Sequence, residues 1–151
     1  MAYLLDTGIL LRLIDVTDQH HSTVRGAVRA LGNQQEPLFI ATQNMAEFCN
    51  VATRSTANNG LGLTPVNAIK LLEEDIEPIC GMLPETDAVY AEQKRLIGNY
   101  GVIGKQVHDA RLVAMMLIWQ IDTIITLNER NFRRFEPEGI KIVTPASLVT
   151  P

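Results

Sequence analysis

The sequence has little that would indicate a disulfide-bonded, exported or membrane protein. Its only two cysteines, Cys49 and Cys80, lack the spacing of metal ligands. We therefore interpret both as small core residues of a protein in a reducing, cytoplasmic setting. No apolar run approaches the roughly 20 residues that span a bilayer. The amino end shows no basic stretch before an apolar segment, so we expect no signal peptide.

Positive charge is also scarce. The formal net charge is −4, which does not fit a protein that binds nucleic acid through a broad basic face. An acidic total still permits such a partner, because a metal held by acids supplies local positive charge. Basic residues do collect late in the chain, either as a binding patch or as a solvated helix face: Lys105, Arg111, Arg130, Arg133 and Arg134.

What the chain does have is an alternation of strands and helices. Its 151 residues are 46% hydrophobic and 20% charged, which indicates one globular domain over 1–151, without repeats or linkers. Short apolar runs predict strands at 3–6, 38–41, 123–126 and 140–143, with a weaker one at 82–83. Helical spacing and caps predict helices at 9–14, 20–33, 42–54, 64–80, 86–99 and 105–119. The sequence therefore predicts an α/β fold with a small, mainly parallel sheet flanked by helices.

Three acidic residues lie where apolar residues are expected. Asp6 ends a buried strand, Glu47 lies among core-facing residues of a helix, and Asp109 shares a helical stripe with Leu112 and Val113. A carboxylate that faces a core is costly unless it is paired or bound to a cation. One shared cation is more economical than three separate partners, and such hard oxygen ligands suit Mg²⁺ or Mn²⁺.

Each acid taken alone has another interpretation. Asp6 and Asp109 could cap helices, and Glu47 could pair with Arg54 or Arg111. The shared site is favoured because all three lie at the carboxyl edge of the sheet or at adjoining helix starts, where open parallel sheets bind ligands.

A fourth segment follows the strand at 123–126 and reaches the same edge. Thr126 offers a hydroxyl, and Asn128 and Asn131 offer carbonyl oxygens. Asn128 could instead only cap the short helical turn that we expect over 128–135.

Four motifs carry a family resemblance: Leu4-Leu5-Asp6-Thr7, Gln43-Asn44-Met45-Ala46-Glu47-Phe48, Val107-His108-Asp109-Ala110-Arg111-Leu112 and Thr126-Leu127-Asn128-Glu129-Arg130-Asn131-Phe132. In this order and spacing the chain resembles the PIN-domain ribonucleases, and among them the VapC-type toxins of bacterial toxin–antitoxin pairs. The resemblance covers nearly the whole chain and implies a three-layer PIN-like fold. It also implies an RNA-cleaving enzyme, a homodimer, a cognate antitoxin and no membrane.

The resemblance assigns the site. Asp6, Glu47 and Asp109 are the expected catalytic residues, holding Mg²⁺ or Mn²⁺ so that a metal-activated water attacks the RNA phosphodiester. The expected supporting residues are Thr7, Asn44, Thr126, Asn128 and Asn131. The candidates for RNA contact are Lys105, Arg111 and Arg130. His108 precedes Asp109 and could be read as a general base, but metal-activated hydrolysis does not need one.

Two positions depart from the family pattern. Gly8 stands where many members have Asn or Ser, and Asn131 stands where many have an acid. The cluster thus has three carboxylates instead of four, and we do not assume a two-metal mechanism.

Other functions share parts of this pattern. Aspartate-nucleophile phosphatases also place an acid after the first strand, but they need a second acid two residues later, where this chain has Gly8. A PIN nuclease of RNA processing and a non-catalytic PIN-like binding module remain open alternatives.

Overall fold

The computed structural model describes residues 1–149, so the last two positions of the predicted domain, 150 and 151, lie outside the described residues. Five parallel strands form one sheet in the order β3-β2-β1-β4-β5. The strands are β1 (Tyr3–Leu5), β2 (Leu38–Ala41), β3 (Gly81–Leu83), β4 (Thr123–Ile125) and β5 (Lys141–Val143). Because the first strand lies in the centre, the carboxyl ends of β1, β2 and β4 are neighbours.

Helices connect and flank the strands. They are α1 (Thr7–Ile14), α2 (His21–Asn33), α3 (Thr42–Thr53), α4 (Pro65–Leu71), α5 (Asp87–Tyr100), α6 (Val107–Trp119) and α7 (Pro145–Leu148). Within residues 1–149, no helix combines the length and apolar character needed to cross a membrane.

The central strand shows why the fold has three layers. Successive strand residues point to opposite faces of a sheet. Tyr3 and Leu5 accordingly pack into a core that includes Phe48 of α3, whereas Leu4 packs into a second core that includes Met115 and Met116 of α6. All three residues of β1 are buried, as expected for a parallel strand covered on both faces. The predicted α/β, mainly parallel architecture is confirmed.

Two predicted boundaries were wrong at the carboxyl edge, for reasons that concern the site. The first strand ends at Leu5, because Asp6 is already the N-cap of α1. Thr42 does not cap α3 but is its first residue, and Ala41 holds the cap position. The side chain of Asn44 supplies the capping bond instead: its Oδ1 accepts from the Ala41 backbone N–H at 2.7 Å.

Two other predicted helices are subdivided. The helix predicted over 64–80 begins as expected, with Thr64 capping and Pro65 first, but α4 ends at Leu71 and continues as one π-helical stretch, Leu72–Ile76. The helix predicted from Lys105 starts at Val107, after a 3-10 turn at Gly104–Gln106. Asp109 therefore lies in the first turn of α6.

Candidate active site

A cleft of about 600 Å³ opens at the carboxyl edge of the sheet. Its lining contains all three acids singled out in the sequence, Asp6, Glu47 and Asp109. Chain direction explains the meeting: Asp6 follows β1, and α3, which carries Glu47, follows β2. The first turn of α6 is tied to the first turn of α3, because the Gln43 side-chain amide donates to the carbonyl of His108 at 2.9 Å.

Asp6 is held by hydrogen bonds to both carboxylate oxygens. Oδ1 accepts from the backbone N–H of Thr7 at 2.9 Å, and Oδ2 accepts from the hydroxyl of Thr126 at 2.7 Å. These bonds favour the charged form, yet burial outweighs them and raises the pKa of Asp6, with a further increase from the charge of Glu47.

Glu47 is fixed by a small buried network around Thr7. The Thr7 hydroxyl donates to Glu47 Oε2 at 3.0 Å and accepts from the Asn44 side-chain amide at 3.1 Å. The side-chain amide of Gln43, one helical turn before Glu47, donates to Glu47 Oε1. Because Asn44 also caps α3, the same side chain starts the helix and orients the hydroxyl that holds the carboxylate.

Asp109 is placed by its helix and by charge. A carboxylate in the first turn of a helix is favoured by the helix dipole. Even so, burial and then the charges of Asp6 and Glu47 raise the pKa of Asp109 to about 7, and the opposing charges of Arg134 and Lys105 only reduce that increase. The three acids therefore share one electrostatic environment, and they repel one another within it.

The ion pairs that could have explained Glu47 are absent. Arg54 donates to Asn50 at 3.4 Å, and Arg111 pairs with Glu85 at 2.7 Å. The alternative that Glu47 is a buried acid paired with either arginine was therefore wrong.

The donor set of the cleft is made of oxygens, which suits a hard divalent cation. As they stand, no three His, Cys, Asp or Glu side chains among residues 1–149 are arranged as ligands of one ion. The acids surround a space instead of meeting at a point. This arrangement fits Mg²⁺, which keeps several of its waters and takes only one or two carboxylates directly.

The other predicted residues are placed unequally. Thr7, Asn44 and Thr126 belong to the network just described, and Asn128 lines the cleft. The cleft lining found within residues 1–149 does not include Asn131, Lys105, Arg111 or Arg130.

Sequence reasoning missed two residues of the site. Gln43 could have been found, since it precedes Glu47 by four positions and so shares its helix face. Arg12 lies in the cleft lining and lowers the pKa of Asp6 through its charge, although burial still dominates. Its Nη1 donates to the Gly8 carbonyl at 3.4 Å, and its buried Nε makes no hydrogen bond within residues 1–149.

Comparison with known families agrees with this geometry. The model of the PIN domain matches residues 3–136, which include every strand but the last and all three acids of the cleft. The chain belongs to the PIN domain family. The PIN match begins at β1, so the central strand and the cap at Asp6 are part of the shared fold.

Several solved structures share the fold. Similar chains come from VapBC-1 of nontypeable Haemophilus influenzae (TM-score 0.68, 17% identity, 96% of this chain and 98% of that one) and DNA-bound VapBC of Salmonella typhimurium (TM-score 0.67, 18% identity, 96% and 98%). FitAcB of Neisseria gonorrhoeae gives a TM-score of 0.64 at 17% identity over 95% and 97%. No curated protein matches the sequence.

Proposed function

We propose that the protein is a metal-dependent endoribonuclease and the toxin of a toxin–antitoxin pair. One observation supports this most directly: Asp6, Glu47 and Asp109, distant in sequence, line one cleft, where the charge of Glu47 adds to the raised pKa of Asp6 and the charges of Asp6 and Glu47 add to the raised pKa of Asp109. Such a concentration of half-buried carboxylates is costly without a cation. A cation bound at this place would offset that cost.

The ion that fits is Mg²⁺ or Mn²⁺, with Asp6, Glu47 and Asp109 as its holders, partly through water. When bound, it supplies positive charge at a phosphate oxygen and makes a bound water a better nucleophile. The side chains of Thr7 and Thr126 keep two of the carboxylates in place.

The remaining work falls to residues of the chain. Glu47 or Asp109 orients the attacking water. Arg12 is the arginine of the cleft lining. Its Nε lies 3.6 Å from Asp18 Oδ2 and its Nη1 donates to the Gly8 carbonyl, and the other N–H groups of the guanidinium are proposed to contact a phosphate oxygen. Asn128, at the rim, and Asn131, Lys105, Arg111 and Arg130, further out, are proposed to position the RNA.

The proposed partners follow from the neighbours in structure. Those three structures are named for VapBC-1, VapBC and FitAcB, and the one from Salmonella typhimurium is bound to DNA. By analogy, this chain acts in the cytoplasm as a homodimer held inactive by a cognate antitoxin. Finding a small antitoxin gene directly upstream of the gene for this chain would support that assignment. A PIN nuclease of RNA processing would lack one.

Incubation of the purified protein with structured RNAs, with and without Mg²⁺, tests the nuclease. We expect cleavage that needs the ion and is abolished in Asp6→Asn. The control is Asp75→Asn, the same chemical change at an exposed acid outside the cleft. Cleavage that persists in Asp6→Asn, with the ion present, would overturn the proposed site.

One competing function is a non-catalytic PIN-like binding module, which is favoured by Asn131 at a position where many family members have an acid. Calorimetric titration with Mn²⁺ separates the two. A nuclease binds the ion with a stoichiometry that Asp6→Asn lowers, whereas a binding module shows no heat above dilution.

A further inference from the structure

A row of basic side chains runs along one face of α2, beside the acidic cleft. His21, Arg25 and Arg29 are spaced four residues apart and so lie above one another on the helix. Both arginines are exposed, and neither forms an ion pair with an acid of residues 1–149. We call His21, Arg25 and Arg29 the α2 basic row. In a chain of net charge −4, an unpaired row of this kind creates a local positive potential.

The row borders a concave surface of its own. A groove of about 370 Å³ is lined by the α2 basic row together with Ser22 and Gly26. Every one of these lining residues is basic, hydroxylic or glycine, so the groove offers mainly charge and hydrogen bonds, although Val149 packs on Gly26. These are the residue types that contact the phosphates of nucleic acids.

Another groove on the same protein shows the contrast. It lies between α1 and the segment before α4, and its lining is mostly aliphatic, with Ile14, Leu61, Leu63 and Leu71 among its residues. A protein segment needs apolar anchors of that kind. The groove beside the α2 basic row therefore suits a polyanion better than a peptide.

The row is continuous with the cleft. His20 lines the cleft, and His21, the next residue, lines the groove. The ring of His21 is anchored to the cleft wall, because its Nδ1 lies 2.7 Å from the carbonyl oxygen of Arg12. A strand that leaves the cleft past Arg12 thus meets the amino end of α2 directly.

We propose that the single-stranded part of the RNA substrate runs from the cleft along α2, with successive backbone phosphates bound by Arg25 and Arg29. This rests on the proposed nuclease function and extends it to a second subsite that binds RNA through its backbone. The two arginines are separated by about 6 Å along the helix axis, the rise of four residues. The contacts reach phosphates only, so they add affinity and fix the direction of the strand without reading sequence.

Salt dependence of RNA binding tests the row. Affinity for a fluorescent single-stranded RNA is measured by anisotropy in an Asp6→Asn background, which prevents cleavage. Each phosphate contact to a single strand contributes about 0.7 to the slope of log affinity against log salt. Arg25→Gln/Arg29→Gln should therefore lower the slope by about 1.4, so the ratio of affinities at 50 and 200 mM salt falls about sevenfold. The matched control is Lys94→Gln/Lys141→Gln, which removes the same charge from α5 and from the first residue of β5. This control should keep the salt slope of the parent protein.

Strand length gives a second measurement. An oligonucleotide too short to leave the cleft should bind equally to the double variant and the control. Longer strands should gain affinity only in the control. Equal salt slopes and equal length dependence in the two variants overturn the α2 subsite. So does normal RNA binding combined with loss of antitoxin binding in Arg25→Gln/Arg29→Gln, because the groove then takes a protein.

The two levels of the proposal fail differently. If the Asp6→Asn protein and the control bind no RNA of any length, and the wild type cleaves none, the proposed function fails and the subsite with it. If the wild type cleaves short and long RNAs equally well and the α2 variants do the same, the nuclease stands and the subsite fails. Matching melting temperatures of the two double variants show that folding is not the cause.

Discussion

The carboxylates at the two ends of the cleft are positioned by different kinds of interaction. At the Asp6 end, both carboxylate oxygens accept hydrogen bonds, and the Thr7 hydroxyl links Asn44 to Glu47. At the Asp109 end, the carboxylate receives no hydrogen bond from residues 1–149, and its position follows from the first turn of α6. Its environment is instead set by burial and by neighbouring charges.

The difference separates a rigid half from a responsive half. Hydrogen-bonded carboxylates keep their geometry whether or not a cation is present. A carboxylate governed by charge changes its protonation when pH, cation or substrate changes. In the proposed nuclease, the Asp6 end would hold a phosphate and an ion in fixed positions, while the protonation of the Asp109 end would change when they bind. The four predictions below test this division.

Asn44→Ala should have the largest effect, because it dismantles the rigid half. Asn44 is fully buried and serves both the Ala41 N–H and the Thr7 hydroxyl. Leaving those groups without partners should lower the free energy of unfolding by about 2–4 kcal/mol, as measured by chemical denaturation. Asn50→Ala, an exposed position on the same helix, should change it by less than about 0.5 kcal/mol. Equal losses in both variants would mean that the network adds no rigidity.

Mg²⁺ should stabilise the protein by relieving repulsion among the acids. An ion that binds the folded state alone contributes about 2.7 kcal/mol at a concentration one hundred times its dissociation constant. Thermal melting with increasing Mg²⁺ measures this, with matched NaCl additions as the ionic-strength control. Asp109→Asn should give a smaller increase. A wild-type melting temperature that does not respond to millimolar Mg²⁺ would contradict a cation site.

The pH dependence of stability should identify the responsive half. The pKa of Asp109 is about 7 in the folded protein against an ordinary 3.8. The fold therefore holds a proton that the unfolded chain releases near pH 4. The resulting stability is complete below about pH 4 and is lost as pH rises through 7. In chelator, we expect a loss of about 1–2 kcal/mol between pH 5 and pH 8, limited by solvent screening of this partly exposed group.

Asp109→Asn should reduce the slope of that profile and leave the part that comes from the raised pKa of Asp6. Asp75→Asn should leave the profile unchanged. If Asp109→Asn keeps the full slope, the charge-governed description of that end of the cleft is wrong.

Arg12→Gln should have the smallest effect, and that effect should appear in kcat/KM for the RNA substrate. Losing one charged hydrogen bond to a phosphate costs about 1.5 kcal/mol, or about tenfold in kcat/KM. Measuring with a short RNA keeps the α2 basic row out of the comparison. Arg133→Gln, at an exposed arginine 3.8 Å from Glu129, is the control. An equal loss in both variants would argue for a general charge effect instead of a contact in the cleft.

The positions of the acids could be predicted from sequence because they follow from topology. Buried strands ending at Leu5 and Ala41 direct their following residues to one edge, and helical spacing placed Asp109 on the apolar stripe of α6. Such patterns depend on neighbouring residues along the chain and are visible without coordinates.

The features that could not be predicted depend on contacts between segments distant in sequence, or on a cap supplied by a different residue from the one that the sequence suggests. Asn44 reaches back to accept from the Ala41 N–H and so caps its own helix. The sequence suggests Thr42 as the cap, because threonine is a preferred N-cap residue. Gln43 binds the carbonyl of His108, 65 residues away. The Arg12 guanidinium lies close to the backbone of Gly8, where a Cβ would be only 3.3 Å from Nη1. None of these contacts has a periodic signal.

The alternation within β1 has a consequence for how this gene can change length. Tyr3 and Leu5 face one layer and Leu4 the other, and Asp6 follows immediately. Deleting or inserting one codon between residues 3 and 6 would exchange the faces of the strand and rotate the acid out of the cleft. The exposed loop at 56–59 has no strand register to preserve, and exposed loops tolerate added residues at little cost. Natural and engineered length variants should therefore accumulate in that loop and be absent from β1.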